Sequence, residues 1–188
     1  PTARAADRVV WCQSTPYSRI FALGVDPSYD EHLGGNVVAH YIENNPSYQL
    51  HPETLDEATI RDCIQWIRST EKNDSPLVYA TASPDEVKAA QTTLGVAQAG
   101  AVVERAMALI AQAAFKIGVR RFVVAGGETS GAVTQSLGVS EVIIGREICP
   151  GVPWIFNQSN EEVIGLALKS GNFGSPSFFS DALALLGN

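Results

Sequence analysis

Apolar residues in this chain fall into short unbroken runs that alternate with longer stretches where they recur every three or four positions. The first pattern predicts buried strands and the second amphipathic helices. Runs at Arg8-Val9-Val10-Trp11-Cys12, Tyr48-Gln49-Leu50, Pro76 to Thr81, Arg121 to Ala125, Glu141 to Gly145 and Val163 to Lys169 read as strands. Between them, Asn36 to Ile42 reads as a helix stopped by Asn44-Asn45-Pro46. A second helix starts from a cap at Thr54, with Glu57 placed to complete a capping box, and puts Ile60, Ile64 and Ile67 on one face. Ser83 caps a third, with Pro84 at its first position and acids in its first turn. The longest runs from Ala97 to Ile117, with a core stripe of Val102, Val103, Ala106, Leu109, Ile110, Ala113 and Ala114, and ends at Gly118. Two more are expected, from the glycines after Ala125 to Leu137 and from Ser177 to Leu186. Tyr17 to Gly35 is irregular and reads as a loop or lid, and Glu147 to Trp154 as a stiff segment punctuated by Pro and Gly.

Strands and helices in alternation imply βαβ units. The expected fold is therefore α/β: a three-layer sandwich with a mostly parallel sheet and helices on both faces. No internal repeat or linker interrupts the pattern, so residues 1–188 are expected to form a single domain.

Composition narrows the function classes. Hydrophobic residues make up 45% and charged residues 18%, the proportions of a globular protein with its own core. A net charge of −7 without a basic cluster argues against a nucleic-acid surface. No apolar run is long enough to span a bilayer, so no membrane partner is expected. Pro1 to Ala6 lacks the apolar segment of a signal peptide and the chain has no initiating methionine, so a fragment or a trimmed chain is expected. Cys12, Cys63 and Cys149 are few, odd in number and far apart, which predicts core thiols in a reducing cytoplasm. His32, His40 and His51 form no local metal motif, although His32 and His40 share a helix face.

The chemistry concentrates where the Arg121 to Ala125 run meets Gly126-Gly127-Glu128-Thr129-Ser130-Gly131. Strand, glycine turn and helix start in that order put unpaired N–H groups and the positive helix end at a sheet's carboxyl edge. That suits a phosphate. Gly126 and Gly127 let a ligand approach the backbone, and Thr129 and Ser130 can cap the helix or donate hydroxyls to phosphate oxygens. The alternative is an ordinary chain-turning device with an ordinary cap. The turn is neither a Walker loop nor the dinucleotide fingerprint. A second turn of the same logic follows Leu168-Lys169 at Ser170-Gly171-Asn172-Phe173-Gly174. Two such turns at one edge could grip the ends of one phosphorylated ligand; alternatively Lys169 is a solvated strand-end lysine. Asp85 and Asp181 read as solvated helix residues.

Three motifs in order carry a resemblance: Ala125 to Val133, Ile144-Gly145 through Ile148-Cys149-Pro150-Gly151-Val152-Pro153-Trp154, and Leu168 to Gly174 with Phe178-Phe179. From about Val37 onward, and weakly from Val9, the chain resembles the C-terminal nucleotide-binding domain of the four-carbon acid sugar kinases, the 3-oxo-tetronate and threonate kinase family. The resemblance implies an ATP-dependent carbohydrate kinase whose N-terminal domain, missing here, binds the sugar acid. It implies transfer of the γ-phosphoryl group of ATP to a terminal hydroxyl, with Mg2+. ATP or ADP contacts would fall on Gly126, Gly127, Glu128, Thr129 and Ser130, on Lys169, Ser170 and Gly171, and on a serine in the first turn. The best match for that serine is Ser14, where the family's Gly-Ser-Cys-Ser-like segment is replaced by Trp11-Cys12-Gln13-Ser14 and an extra loop follows.

Phosphoryl transfer needs positioning and charge neutralisation more than covalent chemistry. Backbone N–H groups, hydroxyls and Lys169 supply these, while Glu128 either holds Mg2+, directly or through water, or caps its helix. The sequence identifies no catalytic base, and none is expected to act without the sugar-binding half. Two other classes compete: a non-catalytic module binding a nucleotide or phosphorylated metabolite, and a redox domain, against which the lack of Gly-x-Gly-x-x-Gly counts. The face left by the absent domain gives an expectation of homodimerisation.

Overall fold

The computed structural model of the chain describes residues 19–24, 45–70, 75–80, 84–157, 162–170, 174–175 and 177–186, and for 19–24 and 84–87 the backbone alone. The strands are β1 (Arg19–Gly24), β2 (Ser47–Gln49), β3 (Leu77–Tyr79), β4 (Val119–Ala125), β5 (Val142–Cys149), β6 (Val152–Asn157) and β7 (Gly165–Lys169). The helices are α1 (Glu57–Ser69), α2 (Pro84–Leu94), α3 (Val96–Lys116), α4 (Gly127–Ser136) and α5 (Phe178–Leu186), with a 3-10 turn at Pro52–Thr54.

All these strands join one 7-stranded sheet in the order β2-β3-β1-β4-β7-β6-β5. The pairs from β2 across to β7 are parallel, whereas β6 and β5 add on as an antiparallel hairpin. Strand β4 alternates between two cores. Phe122 and Val124 face a cluster built with Cys63 and Ile67 of α1, Val103 to Ala114 of α3 and Val133 of α4. Val123 and Ala125 face a second cluster with Trp154 and with Phe178, Phe179 and Ala182 of α5. Helices therefore cover both faces, and the α/β sandwich read from the alternation is the observed fold. A strand buried on both sides must be apolar throughout, which is why β4 reads as an unbroken run.

Several local expectations change. The stretch 17–35, expected to be a loop, contains β1, which lies between β3 and β4 and is parallel to both. Its Ile20-Phe21-Ala22-Leu23 core is the continuous apolar run of a central strand, outweighed in the sequence by the prolines and glycines after it. The earlier run at Arg8 to Cys12 and the helix at Asn36 to Ile42 lie outside the described residues, as do His32, His40, Cys12 and the Ser83 cap. Helix α1 is capped by Asp56, whose carboxylate accepts from Thr59 N at 2.8 Å, and not by a Thr54–Glu57 box. Pro52 draws Thr54 into the 3-10 turn, leaving Asp56 as the extended residue before the helix. On α3 the buried stripe includes Ala99, Met107 and Ala111, while Leu109 is exposed.

The segment 147–154, expected to be stiff and irregular, completes a hairpin in which Pro150 and Gly151 form the turn, Gly151 at φ 81°. Gly145 sits under the Phe156 ring. A Cβ there would meet Phe156 Cε2 at 2.6 Å and the Trp154 carbonyl at 3.0 Å. Trp154 Nε1 donates to the Ala182 carbonyl at 3.0 Å and ties β6 to α5. At the sheet's edge Ile144 is 72% exposed. Among the described residues no single helix is long and apolar enough to cross a membrane.

Candidate functional site at the carboxyl edge of the sheet

Strand order reverses beside β1. The chain places β3 and β2 on one side of it and then, through α2 and α3, crosses to β4 on the other. Ligands of open α/β sheets bind outside the carboxyl ends of the strands at such a switch point. The turn after β4 stands at this place. Gly126 leaves the strand at φ 115°, a conformation that side-chain-bearing residues rarely adopt, and is itself the N-cap of α4. No side chain caps α4. The capping role open to Thr129 and Ser130 is therefore not used: they fall in the helix's first turns and are 3% and 9% exposed. Ser130 Oγ is buried with no hydrogen-bond partner among the described residues. Gly127 and Glu128 are exposed beside them, and a Cβ on Gly127 would meet nothing within 4 Å among the described residues.

The second turn is its neighbour. Strands β4 and β7 pair in parallel with Ala125 opposite Lys169, and Gly126 N donates to the Lys169 carbonyl at 2.9 Å. The carboxyl ends of β4 and β7 thus lie side by side at one edge. Lys169 is only 1% exposed, which rules out the solvated lysine. Its Nζ donates to the Ser170 carbonyl at 3.5 Å and lies 5.8 Å from the centre of the Phe178 ring. Its charge is felt nearby: burial and Glu147 raise the pKa of the Cys149 thiol, and Lys169 opposes them. Ser170 is exposed, whereas Gly171 lies outside the described residues.

Ser14 also lies outside the described residues. Strand β1, which pairs in parallel with β4, ends at Gly24.

A cavity of about 380 Å³ adjoins the β4 turn. Glu128 and Thr129 form one side, and Ala80 just past β3 another. The 3-10 turn contributes Pro52 and Glu53, and α3 contributes Gly100, Val103 and Glu104. Sequence reading missed this cavity because its walls come from five separate elements with no shared motif. The one local signal is Gly100, a glycine inside an alanine-rich helix, where glycine costs roughly 1 kcal/mol relative to alanine. Among the described residues no group of three or more His, Cys, Asp or Glu side chains could hold a metal ion. Glu128 thus offers a single carboxylate, which suits Mg2+ that keeps most of its waters. Asp181 accepts from Ser177 Oγ at 2.7 Å and Ser175 Oγ at 3.1 Å at the start of α5, an exposed structural role.

The model of the family described as "Nucleotide-binding C-terminal domain" matches residues 36–179. A 3-oxo-tetronate kinase of Cupriavidus necator is 57% identical over 151 residues, which are 80% of this chain and 35% of that protein. One from Burkholderia multivorans is 48% identical over 151 residues, 79% of this chain and 35% of its own length. The chain thus spans about a third of the curated relatives it matches. A crystal structure of a Haemophilus influenzae protein superposes with a TM-score of 0.78 at 37% identity, covering 92% of this chain and 41% of that one.

Proposed function

The chain belongs to the family of nucleotide-binding C-terminal domains, and on that premise we propose that it is the ATP-carrying domain of an acid sugar kinase. The substrate is a four-carbon acid of the 3-oxo-tetronate, threonate or erythronate type, phosphorylated at a terminal hydroxyl. A further domain, outside this sequence, binds that acid. The observation that carries the reading is the glycine turn after β4, whose Gly126 N–H bonds the carbonyl of the buried Lys169 at the end of β7.

The parts have distinct tasks in this reading. The first-turn N–H groups of α4 and the positive end of its dipole face the phosphates. Gly126 and Gly127 keep the approach open, and the buried Ser130 hydroxyl is available as a donor. Lys169 and the Ser170–Gly171 turn neutralise charge from the neighbouring strand. Glu128 holds Mg2+ through water, and the metal supplies further charge neutralisation on the phosphates. The base that takes the sugar hydroxyl's proton belongs to the other domain.

Calorimetric titration with ATP and ADP, each with and without Mg2+, tests this on wild type and Gly127→Trp. Among the described residues a Cβ at Gly127 meets nothing within 4 Å, and a melting curve checks that the variant is folded. Micromolar to millimolar binding that disappears in Gly127→Trp supports the reading. A folded wild-type chain that binds neither nucleotide overturns it for this chain. Binding without phosphoryl transfer after the sugar-binding domain is added would identify a non-catalytic nucleotide module instead.

A further inference from the structure

We infer that Trp154 is a positioning residue for the phosphate site: acting through α5, it fixes where the Lys169 ammonium stands. Trp154 is fully buried and touches no ligand itself. The inference rests on the nucleotide-binding reading above and adds the part of the fold that holds its cation in place.

Strand β7 lies between β4 and β6, and α5 is fastened to both of those neighbours. From β6, Trp154 Nε1 donates to the carbonyl of Ala182, midway along α5, at 3.0 Å. From β4, Arg121 Nη1 donates to the carbonyl of Leu186, the last residue of α5, at 3.2 Å. The helix is thus strapped across β7. With only 9 residues it is marginal alone, so such contacts set its position. Lys169 lies under the strap. Trp154 stands opposite Ala167 on the neighbouring strand, and Lys169, two residues further on, takes the same face of the sheet.

Phe178 carries the position of α5 to the end of β7. It stands one turn before Ala182 on the same side of the helix, and both are buried. The centre of its ring is 5.8 Å from Lys169 Nζ. A Cβ on Gly174 would meet Phe178 Cδ2 at 2.7 Å and Phe178 Cβ at 3.1 Å, so the same residue also presses on the chain where it returns from β7 towards α5. Apolar packing in this cluster has no direction and would let a short helix slide. The indole N–H has one. A slip of one residue moves a helix by about 1.5 Å, more than the roughly 1 Å misplacement that already costs an active site much of its rate.

The test is a double-mutant cycle read by calorimetry with ATP and Mg2+, on wild type, Trp154→Phe, Lys169→Met and the double variant. Phenylalanine fills most of the space and removes the donor. At a temperature where a melting curve shows it folded, Trp154→Phe should lower ATP affinity about fivefold. In the Lys169→Met background the same change should cost less than about twofold, because Trp154 acts through Lys169. Acetylation gives a readout without ligand: Lys169 should react at least about threefold faster in Trp154→Phe than in wild type, measured against the exposed Lys88 and Lys116. A tryptophan that serves packing alone would lower the melting point and move none of these. A folded Trp154→Phe with wild-type ATP affinity overturns the inference, and so does full additivity with Lys169→Met or unchanged labelling of Lys169. If Trp154→Phe does not fold, Arg121→Gln, which releases the other end of α5, decides by the same readouts. A wild type that binds no ATP would instead bring down the nucleotide-binding reading, and this inference with it.

Discussion

Lys169 is 1% exposed, with its Nζ donating to the Ser170 carbonyl and lying 5.8 Å from the centre of the Phe178 ring. Replacement by methionine keeps most of the volume and removes the charge, which separates two roles. If Lys169 neutralises phosphate, Lys169→Met lowers ATP affinity about 10- to 100-fold, the value of a charged hydrogen bond of about 1.5–3 kcal/mol. The thermal midpoint should change little by comparison, because methionine keeps the packing against Phe178. Calorimetry and a melting curve on the same variant read both quantities. A fall in stability with ATP affinity unchanged would make Lys169 a structural residue of the α5 packing. Ser130 poses the same question more weakly, since one unpartnered hydroxyl costs less to bury than an ammonium.

Elements are held by their ends as much as by their faces. Asp56 accepts from both the backbone N–H and the hydroxyl of Thr59, at 2.8 and 2.9 Å, and these bonds hold its carboxyl below its ordinary pKa of 3.8. A carboxyl whose pKa is depressed on folding stabilises the protein above its unfolded pKa and loses that contribution as pH falls through the folded value. Asp56→Ala should therefore melt at a lower temperature than wild type at pH 7, and the gap should narrow below about pH 3.8, towards its folded value. Melting curves for the two proteins across that window check the sign. The cap matters for function because α1 packs beside α3, whose amino end lines the cavity. The β5–β6 hairpin extends the sheet beyond β7 and, through Trp154 and Ala182, fixes the helix that packs Phe178 near Lys169.

At the scale of the whole molecule, the two cores meet across β4, so loosening one exposes the other. Cys63 lies in the larger cluster, and burial pushes its thiol up to about 12. At pH 8 it is protonated and sheltered, and iodoacetamide should reach it only through global opening. Peptide mass spectrometry should then find Cys63 unmodified in the native protein and alkylated at the rate of unfolding when denaturant is added. Labelling of Cys63 under native conditions, with the rest of the fold intact, would show that the face between α1 and the sheet opens locally. If ATP binds at the turn that opens α4, it should slow Cys63 labelling, since α4 contributes Val133 to the core that holds Cys63.

The sequence by itself determined the alternation of strands and helices, the buried run of β4, the glycine turn after it and the helix stop at Gly118. These are local properties: each residue's side chain records whether its own element is buried on one face or two. The family followed from three motifs in order. Periodicity missed β1 because its short apolar run stands beside turn residues that outweigh it, and missed the β5–β6 hairpin because Pro150 and Gly151 read as interruptions when they form its turn. Whether Lys169 was solvated or buried also lay beyond the sequence, since the answer depends on α5 closing over the end of β7. Only the tertiary structure set the ends of β4 and β7 side by side and closed a cavity from residues as far apart as Glu53 and Glu128. The reason is physical. Pairing between β4 and β7, and between β1 and both its neighbours, is decided by which apolar faces bury one another across long stretches of chain, and no local pattern encodes that choice.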